Sequence, residues 1–401
     1  MSEYPRRVVW WAPALILTLV AVACGPGAQP EEPGTTEPVV TETTAPATDT
    51  TQAEEGTTTT ATGEAVTVRA GWVSAIDQLG LPAAVEQGFF EEHGLTVELA
   101  EPFPTGVDML NALQAGEIDV AQVGVPAIGA ILQGMDLVQV GNYTGSSVQL
   151  GIDETMAMVA REGSDISGDD LSTLEGKTIG VSIGSINHLY LLGVLEEAGI
   201  SPDTVNIVNT PPPEMPVALE TGGLDGAVFW DPWPIVAAHQ VEGAYEVMRG
   251  GGFIAFIGYI NGLRDWVTGN EEVVQRFLAA RAQADRWIRD NPDQGAELAT
   301  RWIPGTDLEV AQEAMQYNIQ QLDPRISACN YLALHTSQQL LLEVGTIDGT
   351  FPVDEHIQPQ YIQVVMEDFP EFFEDLPPIP EGAQVGTDYT FDPDQASGVC
   401  G

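Results

Sequence analysis

The residues best placed to touch a small solute sit where strands give way to helices. Ser182-Ile183-Gly184-Ser185-Ile186-Asn187-His188 reads as a flexible turn opening a helix. The free amides of that first turn, and the positive end of its aligned peptide dipoles, suit an oxyanion. Thr105-Gly106-Val107-Asp108 sets an N-cap threonine three residues ahead of a carboxylate, and Thr210 precedes Pro211 at the matching place farther on. Gly124-Val125-Pro126 and Trp230-Asp231-Pro232 lead into two more helices. The chemistry on offer is hydrogen bonding to something small and polar. Trp72, Trp230 and Trp233 stand at strand ends, where they either pack in the core or cover a flat or apolar part of a ligand. Asp231 before proline either caps the next helix or meets ligand; in the second case it repels a bare oxyanion and attracts an ammonium group.

Bond-making chemistry lacks its usual parts. No serine sits in a Gly-x-Ser-x-Gly elbow. The five histidines, His93, His188, His239, His335 and His356, are scattered, and no CxxC or Cys/His cluster suggests a metal. The chain is therefore expected to be no enzyme and to need no cofactor.

The elements that must position these residues occur twice. Ala112-Leu113-x-x-Gly116-x-Ile118-Asp119-x-Ala121, followed by Pro126, returns as Ala218-Leu219-x-x-Gly222-x-Leu224-Asp225-x-Ala227, followed by Pro232. Each copy reads as a helix end, a glycine stop, a short buried strand and a proline-bearing loop. Upstream, strands at 66–72 and 177–183 each lead into a helix ending Glu-Glu-x-Gly, at Glu91-Glu92-His93-Gly94 and Glu196-Glu197-Ala198-Gly199. Further strands follow at 96–99 and 205–208. Strands alternating with crossover helices predict two α/β lobes, each a mainly parallel sheet flanked by helices, with the ligand cleft between them. Lobe one is expected over 65–158 and 251–401, lobe two over 159–250. A strand at 137–142 completes the first pass, 156–160 crosses between lobes, and an apolar strand at 253–260 returns to lobe one. Helices are predicted over 272–290, 292–302, 307–322 and 334–344, with Trp287 and Trp302 as core.

These segments resemble a known family. Residues 176–192, the Pro211-Pro212-Pro213-Glu214 turn, and Ala218-Leu219…Gly222…Asp225…Phe229-Trp230-Asp231-Pro232-Trp233 are similar to the substrate-binding proteins of ABC importers for sulfonates, taurine and nitrate. Binders of pyrimidine precursors of thiamine belong to the same family. The resemblance implies the two-lobed periplasmic-binding-protein type II fold, closing on a small anionic or zwitterionic solute and presenting it to a permease and its ATPase. By position it makes Ser185 and His188, on the turn with Asn187, contacts of the oxyanion. It places Trp230, Asp231 and Trp233 as the wall from lobe two, and Trp72 to Ser74, Thr105 with Gly106, and Val125 with Pro126 as the loops from lobe one. His188 and Asp231 also have plain structural readings, as a surface histidine and a helix cap. The related pyrimidine synthases need a dense His/Cys set that this chain lacks.

Arg6 and Arg7, an apolar run over 8–23 broken by Pro13, and then Cys24 read as a secretory signal over 1–23. Leu19-Val20-Ala21-Val22-Ala23-Cys24 resembles the bacterial lipoprotein lipobox, with Ala21 where leucine is usual. That implies cleavage before Cys24, lipid on its thiol, and a place at the extracytoplasmic face of the bacterial cell membrane. Residues 24–64, rich in Thr, Glu, Pro and Gly, cannot bury enough apolar surface to fold and read as a tether.

The 13 basic against 59 acidic residues give a formal net charge of −46. Such a surface disfavours nucleic acid and anionic membrane faces. A monomer is expected. Of three cysteines, Cys329 and Cys400 remain in an oxidising compartment, either bridged, stapling the C-terminal tail, or free.

Overall fold

The computed structural model describes residues 66–401. The expected signal segment, Cys24 and the tether lie outside the described residues. Among the described residues ten strands build two sheets: β1 (Val66–Gly71), β2 (Leu95–Leu99), β3 (Val120–Val123), β4 (Leu137–Thr144), β5 (Met156–Ala160), β6 (Thr178–Val181), β7 (Asn206–Asn209), β8 (Gly226–Trp230), β9 (Tyr245–Arg249) and β10 (Gly258–Leu263). The orders are β2-β1-β3-β10-β4 and β7-β6-β8-β5-β9. Position by position the sheets correspond, as the sequence repeat requires. β1 runs parallel to β2 and β3, and β6 parallel to β7 and β8. In each sheet one antiparallel strand, β10 or β5, lies next to β3 or β8.

The repeated residues have local causes. Gly116 and Gly222 take φ of 71° and 74°, the left-handed conformation that ends the helices Gly106–Gln114 and Met215–Glu220. The repeated aspartates serve architecture rather than ligand. Asp119 accepts from the Arg69 backbone N–H at 2.9 Å, and Asp225 accepts from that of Thr178 at 3.0 Å. Each also pairs with an arginine, Arg69 or Arg161, at 2.5 Å. The repeat thereby registers one parallel strand against the next.

Two expectations need correction. Met156–Ala160 pairs along its whole length with β8 and β9, so the division between lobes falls ahead of Met156 rather than between residues 158 and 159. The return strand begins at Gly258, not at residue 253. The backbone N–H groups of Gly252, Phe253 and Ile254 instead donate to the carboxylate of Asp153, at 2.9, 2.9 and 3.3 Å, which binds the two inter-lobe crossings side by side.

The helix Glu271–Asp290 packs against the helices Gly80–Glu86 and Gln360–Asp368, buttressing the first sheet. Among the later helices, Ala328–Glu343 starts six residues before the expected 334, because Ser327 and Asn330 form a capping box. Cys329, in its first turn, is disulfide-bonded to Cys400, in the closing helix Pro393–Cys400. Their sequence separation is 71 residues. On the chain-entropy account such a link contributes about 4 kcal/mol. Cys400→Ser should therefore lower the denaturant midpoint, and reductant should do the same to the wild type. A midpoint unmoved by reductant would show that the tail is held by packing alone.

Candidate functional site

Both sheets aim the carboxyl ends of their parallel strands at a cavity of ≈ 40 Å³, inside an envelope of ≈ 430 Å³ that includes its open mouth. One water needs roughly 10–15 Å³ on this scale, so the space suits a compact solute. From the first lobe come the loop after β1 (Val73, Ala75, Asp77, Gln78), the loop after β3 (Gly124, Val125, Pro126), Gly106, and the side chains of Gln122 and Tyr143. The second lobe contributes Ser185, Ile186 and Trp230, and the returning crossing adds Phe256 and Ile257.

Of the residues expected at the ligand, Gly106, Val125, Pro126, Ser185 and Trp230 thus meet at one cavity. Thr105 stands just outside as the N-cap of Gly106–Gln114, its hydroxyl accepting from Asp108 N–H at 3.2 Å. The other six do structural work. Trp72 is fully buried, donates its indole N–H to the Ala100 carbonyl at 2.9 Å and meets Trp302 edge-on. Trp233 donates to the Ser74 carbonyl at 2.8 Å, so this pair joins the lobes rather than lining the space. Asn187 accepts from Ser182 N–H and donates to the Val228 carbonyl, tying the turn to β8. The His188 Nδ1 accepts from Gly184 N–H at 3.3 Å. Burial pushes its pKa down from 6.5, which keeps the ring neutral and removes it as a cation for an oxyanion.

Asp231 is the largest departure. It is 1% exposed and off the cavity, with Arg249 Nη1 donating to its two oxygens at 3.0 and 3.2 Å and Asn318 Nδ2 donating at 3.0 Å. Its carbonyl accepts from Ile76 N–H at 3.2 Å, and Arg249 lies 4.2 Å over the Tyr317 ring. The cluster fastens the second lobe to the helix Leu308–Asn318. Burial pushes the Asp231 carboxyl up to about 7 against the pull of Arg249 and Asn318. Burial alone would depress Arg249, but Asp231 and Glu246 outweigh it and hold the guanidinium above its usual value. With this bonding we take the pair as ionised.

The carboxylate at the cavity is Asp77, which the sequence reading passed over. It follows β1 within the apolar run Ala75-Ile76-Asp77-Gln78-Leu79. An acid and an amide inside an apolar loop at a strand's carboxyl end were the available signal. Asp77 is 6% exposed. Burial pushes its carboxyl from 3.8 to about 7, with Thr144 and Arg281 pulling the other way. Arg281 is itself engaged, paired with Asp285 and donating to Gln122 Oε1 at 2.9 Å. Gln78 is also committed, accepting from Val73 N–H at 2.8 Å and donating to the Gln122 carbonyl at 3.2 Å. Across the cavity, the buried Trp230 Nε1–H has no hydrogen-bond partner among the described residues, and the Ser185 hydroxyl makes no cap bond to its helix.

A family model described as NMT1-like matches residues 61–303, well over half of the chain. The chain belongs to the NMT1-like family. A putative binding protein of Brucella abortus (strain 2308) is 25% identical over 253 residues, 62% of this chain and 75% of that protein. The taurine-binding periplasmic protein of Escherichia coli (strain K12) is 28% identical over 223 residues, covering 53% of this chain and 64% of that one. Among solved structures, the alkanesulfonate-binding protein SsuA from Xanthomonas axonopodis pv. citri, bound to MOPS, superposes with a TM-score of 0.65 at 22% identity, over 74% of this chain and 99% of that one. The NMT1-like chain therefore has the two-lobed α/β fold of periplasmic binding proteins, and its relatives are named as binders.

Proposed function

We propose that this protein is the solute-binding component of an ABC importer. It is held by lipid on Cys24 at the extracytoplasmic face, closes by hinge bending on a small oxyanion-bearing solute, and delivers it to a permease and ATPase. The observation that carries this reading is the cavity itself, lined from both lobes, with Trp230, whose indole N–H is buried without a hydrogen-bond partner among the described residues, and the amino end of the helix Ile186–Glu197 on one side. Those groups bind an oxyanion without supplying a nucleophile or a general base. The names of the relatives support the sulfonate and taurine members of this class. Tyr143, Trp230 and Phe256 around the same space favour, as a second reading, a flat heterocycle of the thiamine-pyrimidine type.

The test is a thermal-shift series with alkanesulfonates, taurine, nitrate and aminopyrimidines. A solute present at a thousand times its Kd stabilises by about 4 kcal/mol. Trp230→Phe keeps an aromatic ring but loses the donor, and should weaken binding roughly 10- to 100-fold. If no member of these classes moves the melting temperature, the proposal fails.

A further inference from the structure

We infer that Asp77 makes the site selective for solutes carrying a cationic or N–H-donating nitrogen opposite their oxyanion. The inference rests on the binding function proposed above and sharpens it. Among the described residues, no Lys or Arg lines the cavity. The buried arginine behind it does not line the cavity, and its charge is shared with Asp285 and Gln122 rather than offered to an incoming bare anion. The one charged side chain of the described residues that does line it is a carboxylate, and it arrives from the lobe facing Trp230 and Ser185.

The neighbours of Asp77 in the same wall, Gln78 and Gln122, are absorbed in hydrogen bonds that hold the β1 and β3 loops together, whereas Asp77 forms no such tie between these loops. An acid buried to 6% exposure without an ion-pair partner is unfavourable unless it is protonated or the ligand completes it. A nitrogen cation completes it, while a bare oxyanion adds like charge to a water-poor space. A solute with charge at both ends would thus bridge the lobes, its nitrogen on Asp77 and its oxyanion on the Trp230 N–H and the first turn of Ile186–Glu197. Closure would be driven by the pair together.

The experiment is calorimetric titration of the protein at pH 8 with matched pairs differing only in the amino group: taurine against ethanesulfonate, and 3-aminopropanesulfonate against propanesulfonate. The amino-bearing member of at least one pair should bind at least 100-fold more tightly than its partner. Asp77→Asn should collapse that ratio to within threefold, and Asp77→Glu should retain part of it. Equal or tighter binding of the member without nitrogen to the wild type, a comparison needing no variant, overturns the inference and leaves the binding function standing. If neither member of any pair binds, the inference falls, and the function it rests on falls with it only if nitrate and aminopyrimidines also leave the melting temperature unmoved.

Discussion

Replacing Asp153 with alanine is expected to lower the free energy of unfolding by about 2–4 kcal/mol. Asp153 is 1% exposed and accepts the backbone N–H groups of Gly252, Phe253 and Ile254. Hydrogen bonds to a charged acceptor contribute about 1.5–3 kcal/mol each, but three that share one carboxylate do not add in full, and Gly252 is exposed enough for water to replace its share. Ile254 is buried and has no such recourse. The same change should loosen the two crossings about which the lobes turn, so solute affinity should fall beyond what lost stability explains. Asp153→Asn keeps one acceptor and should lie between the two. Urea denaturation measures this; an alanine variant within 1 kcal/mol of wild type would show that the crossings are held by apolar packing.

A comparable effect is expected on the pH axis from Asp77. Its folded carboxyl titrates at about 7, above the ordinary 3.8 of an exposed aspartate. Between those values the folded chain holds a proton that the unfolded chain has released, so stability falls as pH rises through this window and is level on either side. The full span corresponds to about 4 kcal/mol. Arg281 is the charged neighbour that pulls it down, and the Tyr143 phenol, raised by burial and by Asp77, is its titratable neighbour. Asp231 and Asp285 are raised as well, and both persist in Asp77→Asn, so the difference between variant and wild type isolates Asp77. The two proteins should be equally stable near pH 4, with the asparagine variant ahead at pH 8. Parallel pH profiles would mean that Asp77 is already solvated.

The fold was largely legible because its signals are local. Gly116 and Gly222 announce their turns by residue type, and the short apolar runs of β3 and β8 recur with the same spacing. The site was legible only in outline. Loops at strand ends could be named, but which side chain of a loop faces inward depends on partners remote in sequence. Trp72 is taken by Ala100, and Asp231 by Arg249 and Asn318, 18 and 87 residues away. No periodicity marks those partners. Asp77 lay three residues beyond the last position singled out in its loop, and only the placement of β3 and β4 around it reveals that it faces the cavity rather than solvent.

All five strands of the second sheet come from one uninterrupted stretch, β5 through β9, while the first sheet is assembled from segments on both sides of it. The stretch enters and leaves through neighbouring strands, with Ala157 opposite Arg249. One jaw is thus a single excursion of the chain and the other is split. The excursion is one continuous segment of the chain, whereas its counterpart is made of two pieces. Ancestral swaps of whole jaws between relatives would accordingly need only one cassette, exchanged at two adjacent junctions.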